Sequence, residues 1–115
     1  MSALRTITLA LVLATPLASR GQTKVPTTVD DHLALAKAYT EKATAWKKEA
    51  QYHRDMIEEY KRGAVPPDKS GKPNPWVRKM SDHCKAIADD AEKLAADAAK
   101  AAEYHTFRAK ELQGK

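Results

Sequence analysis

Cysteine is nearly absent from this chain. Of 115 residues only Cys84 carries a thiol, so no disulfide can close within it. Phenylalanine also occurs once, and no C-x-x-C-H attachment sequence exists for covalent haem. Glycine and proline are missing from two long stretches, 29–62 and 76–112, which leaves both free to form uninterrupted helix. Charge of one sign is not concentrated: 20 Lys and Arg stand against 15 Asp and Glu, a formal +5. That mild excess lacks the dense basic patch that nucleic-acid binding requires. No short catalytic or metal motif of high specificity is present, so no enzymatic activity is expected.

What is present is a charged, helix-forming composition preceded by a segment of different character. Arg5 supplies a positive start, Ile7 to Leu13 an apolar run too short to span a bilayer, and Pro16 a break before small residues. This is the layout of a secretory signal peptide over 1–21, with cleavage ahead of Gln22. A periplasmic or secreted protein, free of the membrane after cleavage, is the expectation. The mature chain, 22–115, loses Arg5 and Arg20, and its formal charge falls from +5 to +3.

The mature chain divides into two helices and a connector. Thr28 offers a hydroxyl N-cap and Asp30 and Asp31 acidic first-turn residues, so a helix is predicted over 29–62. Gly63 is its natural stop. Three prolines and two glycines crowd the connector, 63–74. Asn74-Pro75 then restarts a helix, predicted over 75–112, with proline in the first turn where its missing N–H costs nothing.

Both helices repeat every seven residues. On the first, His32, Tyr39, Trp46, His53 and Tyr60 form a seam of large residues, with Ala36, Ala43, Ala50 and Ile57 between them. On the second, Val77, Cys84, Ala91, Ala98, His105 and Leu112 form one seam and Met80, Ile87, Leu94 and Ala101 another. Heptads sustained this long indicate coiled-coil-like packing. The fold class expected is all-α, an antiparallel two-helix hairpin. Pairing Tyr60 with Val77 sets Ile57 beside Met80, His53 beside Cys84, Trp46 beside Ala91 and His32 beside His105. In most layers large then faces small, as close packing asks. A hairpin of this size buries little on its own, and a further stripe, Ala88, Ala95, Ala102 and Ala109, suggests a second contact. A homodimer forming a four-helix bundle is expected.

The same register brings His53, Met56, Met80, His83 and Cys84 within about two turns of one another. Imidazole, thioether and thiolate together suit a soft ion, and copper(I) is the expected ligand. The competing reading makes Met80 and Cys84 ordinary core and the chain a structural or protein-interaction module without a ligand. A second, weaker candidate is the end layer His32 with His105. Haem b held between histidine or methionine ligands is a third reading, opposed by the bulk of Trp46 and Tyr39 in the seam. In plan the chain resembles small exported helical-hairpin proteins of bacteria that sense or buffer metal stress. The L-T-x-x-Q signature of one such group is absent.

Overall fold

The computed structural model describes residues 24–114; the signal peptide expected over 1–21 lies outside the described residues. Two α-helices, α1 (Val29–Lys61) and α2 (Pro75–Gln113), pack against each other. At 33 and 39 residues they run about 50 and about 58 Å at ~1.5 Å per residue. They are antiparallel. His32, early in α1, touches His105 late in α2, while Tyr60 and Val77 line one hollow beside the connector. No helix among the described residues is long and apolar enough to cross a membrane.

The ends of the helices are fixed by local chemistry. Thr28 is extended at the N-cap, its hydroxyl accepts from the Asp31 N–H at 3.1 Å, and the Asp31 carboxylate accepts from the Thr28 N–H at 3.2 Å. This reciprocal box satisfies two helix-end donors at once. Lys24 and the Thr27 N–H bind the same carboxylate, and these contacts, Lys24 foremost, hold the Asp31 carboxyl well below the usual carboxylate range. At the far end Gly63 has φ +88°. Its N–H reaches the Tyr60 carbonyl and the Ala64 N–H reaches that of Glu59, the paired bonds of a Schellman stop.

The connector is knotted around one carboxylate. Asp68 accepts from the Ser70 hydroxyl and from the N–H groups of Ser70 and Lys72, and its own N–H donates to the Lys72 carbonyl. The Ser70 hydroxyl first, then the Lys72 N–H, keep the Asp68 carboxyl below its ordinary value. Asn74 then caps α2 by accepting from the Trp76 N–H at 3.0 Å.

The seam differs from the expected one in a specific way. Its buried residues are Ala36, Ala43 and Ala50 from α1, with Cys84, Ala91 and Ala98 from α2, as the heptads suggest. The second buried row of α2 is Ala88, Ala95, Ala102 and Ala109, not the row of Met80, Ile87 and Leu94. Leu94 is 43% exposed and Trp46 37% exposed. The helix is turned by about 50° about its own axis relative to the expected packing, half the ~100° between adjacent residues, so the Cys84 row stays in the seam while its second row changes. The physical reason is distance of approach: methyl against methyl lets the two backbones come closest, whereas a Trp or Leu in the seam would hold them apart. The alanine stripe that suggested an outer contact is thus consumed inside the hairpin.

Position along the axis follows the expected pairing. Besides His32 with His105, Arg54 reaches Glu92 at 2.6 Å. Side chains lean toward the N-terminus of their own helix, so in an antiparallel pair these two lean toward each other across the seam. Arg54 holds the Glu92 carboxyl below its usual value, chiefly by this hydrogen bond.

Candidate functional site

Three heptads on from His32 and three back from His105 lie His53 and Cys84, so the two occupy one layer of the hairpin. Cys84 is sealed completely within the seam, with 0% of its surface accessible. His53 sits at the margin with 12% of its side chain exposed, its Nε2 3.0 Å from the Glu49 carboxylate one turn earlier. A carboxylate only accepts, so Nε2 carries the proton, and in the neutral ring Nδ1 is left with a bare lone pair. That Nδ1 is buried and has no hydrogen-bond partner. Tyr52 packs edge-on against the ring, centroids 5.3 Å apart.

Met56 and Met80 are half-buried beside this layer, whereas His83 is exposed. The reason is rotational: one residue is about 100° of helix, and with Cys84 facing α1 its predecessor is turned outward. Of the five residues expected to converge, His53, Met56, Met80 and Cys84 lie in or beside the seam and His83 does not. Among the described residues no three His, Cys, Asp or Glu side chains gather as a metal group. A complete ligand set at this layer therefore requires the methionine thioethers.

The open end of the hairpin holds the other histidines. His32 is buried, and its Nδ1 lies 2.9 Å from Nδ1 of His105. One ring must donate and the other accept, so the two rings carry complementary tautomers. Tyr39 stacks on His105 at 5.7 Å with planes 7° apart, and Tyr104 meets it edge-on at 5.8 Å. Both Nδ1 atoms are engaged with each other.

No protein-family model matches the chain, and no curated protein or solved structure is significantly similar to it.

A feature that the heptads did not indicate is a groove on one side of the hairpin. It has two hollows, of about 530 and about 350 Å³, which share Lys47 and Ala99. Thr40, Thr44 and Thr106 donate their hydroxyl protons to backbone carbonyls one turn back. Their donor capacity is thus spent along their own helices. The sequence signal for this groove was the surplus of small residues on α2, Ala96 and Ala99 among them, outside any assigned seam.

Proposed function

We propose that this chain is an exported, self-associating helical-hairpin module that acts through its surface and not through a catalytic cleft. The observation that carries this reading is an inversion of bulk. The hairpin closes on alanines, while Trp76, Tyr104 and Phe107 stand more than 60% exposed and Leu94 43% exposed. Each buried alanine methyl contributes only about 0.8 kcal/mol of transfer free energy, so an isolated hairpin is thinly stabilised. Pairing with a second copy into a four-helix bundle covers part of this exposed surface and enlarges the core. Cys84, inaccessible within the seam, fits a core role better than that of a nucleophile. Sedimentation equilibrium on the protein expressed from its full-length gene tests this: a dimer at micromolar concentration is expected, and a monomer throughout that range overturns it.

A second reading is favoured by one specific observation, the unpaired Nδ1 of His53. A buried ring nitrogen without a partner costs free energy, and a histidine whose other nitrogen donates to a carboxylate is the form in which histidine binds metals. In this reading copper(I) is held by His53, Cys84, Met56 and Met80 with Glu49 orienting the imidazole. Copper(I) titration against a competing chelator is the test. One equivalent bound, lost in Cys84→Ser and His53→Ala but kept in His83→Ala, supports it; no stoichiometric uptake removes it.

A further inference from the structure

The groove beside α2 carries a more specific inference, which rests on the self-association reading above. Residues Glu92, Ala96, Ala99, Glu103, Phe107 and Lys110 follow one another at spacings of four, three, four, four and three, and so form one stripe along α2. All six are exposed. The stripe has a knob and a hole at opposite ends. Phe107, 62% exposed, is the knob. The hole is the hollow of about 350 Å³ lined by Glu92, Ala95, Ala96, Ala99 and, from α1, Lys47.

The geometry points to a symmetric dimer in which α2 of a second copy lies antiparallel in this groove, its two-fold axis passing at the level of Ala101. In that arrangement Phe107 of each copy faces Ala95 of the other and enters the partner's hollow, Ala96 faces Thr106, and Lys110 faces Glu92. An isologous contact repeats each pairing twice. The occupant is specified by complementarity. A parallel pairing sets Glu92 on Glu92 and Lys110 on Lys110. A slip of one heptad one way sets Glu92 on Glu103 and Lys85 on Lys110. A slip the other way sets Lys110 on Ala99 and Glu103 on Thr106, with no opposite charges facing. Of these four arrangements only the first joins bulk to hollow and cation to anion, and like charges in facing positions are what specific helical interfaces avoid.

This arrangement also uses what the hairpin leaves over. The stripe from residue 92 to residue 110 covers about 27 Å at ~1.5 Å per residue, five turns of helix. Alanines in it permit the same close approach between copies that the seam permits within one. Lys47, on the rim of both hollows, adds positive charge beside Glu103, the acidic residue nearest the axis.

Charge reversal followed by mixing tests the interface. Glu92→Lys and Lys110→Glu, each alone, place like charges together at both ends of the contact, and the dimer dissociation constant is expected to rise at least about tenfold in low salt. An equimolar mixture of the two variants restores opposite charges at both ends of a heterodimer, so its dissociation constant should return to within about threefold of the parent's. Phe107→Ala should raise it about tenfold or more, with helicity by circular dichroism unchanged. Because Glu92 also pairs with Arg54 within the chain, the mixture and not the single variant decides. If the protein dimerises but mixing rescues nothing, this interface is wrong and self-association stands. If the parent protein is monomeric, both fall.

Discussion

Substituting Ala88 by leucine separates two packings of the same sequence. If the row Ala88, Ala95, Ala102 and Ala109 faced outward, as the heptads first suggest, the change would be a surface substitution worth within about 0.5 kcal/mol either way. In the structure Ala88 is 1% exposed, one turn from the fully buried Cys84. Three added carbons have no void to enter there. They must separate the backbones or take a strained rotamer, at a cost of about 1–3 kcal/mol. For a domain of this size about 1 kcal/mol moves the melting temperature by about 4–8 °C, so a fall of roughly 8–16 °C is expected for a mid-range cost of about 2 kcal/mol. Ala86→Leu, two residues away on the exposed face, is the internal control and should shift the midpoint by no more than about 4 °C. Thermal melts by circular dichroism at several protein concentrations provide the assay, since any self-association makes the midpoint concentration-dependent. Equal midpoints for the two variants would refute the alanine seam.

Further consequences are open to measurement. Gly63→Ala should cost about 1 kcal/mol in urea denaturation; an added Cβ meets no atom within 4 Å, so the cost comes from φ +88° alone. Thr28→Ala should lose about 1 kcal/mol and raise amide exchange in the first turn of α1. Asp31 is a carboxylate whose folded-state value is lowered; its contribution is therefore present above the ordinary carboxylate range and lost as pH falls below it. Asp31→Asn should accordingly melt lower than the parent at neutral pH, with the gap narrowing on acidification; a constant gap would contradict the assignment. His32→Ala with His105→Ala in a double-mutant cycle should show a coupling of about 1 kcal/mol at neutral pH, and a coupling of zero would deny the Nδ1 contact any energetic weight.

Much of the architecture was legible because it depends on residues that are rare. The absence of Gly and Pro marked both helices, Thr28, Gly63 and Asn74 marked their ends, and the heptad arithmetic that set His32 opposite His105 is matched by a 2.9 Å contact. The rotation of α2 was not legible. Alanine occupies three of its rows, at Ala91, at Ala101 and at Ala95, so hydrophobic periodicity there is degenerate and the larger Ile87 and Leu94 drew the seam toward themselves. Shape decided otherwise. The same rotation governs the candidate site. The sequence could place His53 and Cys84 in one layer, but whether His83 joined them depended on which way Cys84 faced. The role of Asp68 in the connector was hidden for a different reason: it arises from four local hydrogen bonds whose geometry no periodicity encodes.

The alanine seam has a mechanical consequence. A row of identical methyl groups repeated every heptad presents nearly the same surface after a slide of about 10.5 Å, at ~1.5 Å per residue, so it behaves as a rail along which α2 could glide with little resistance. What stops it are features off the rail: the Asp68 knot at one end, the His32–His105 contact at the other, and the Arg54–Glu92 strut between them. In this hairpin the alanines set how close the helices lie, and a few polar groups set where along each other they stop.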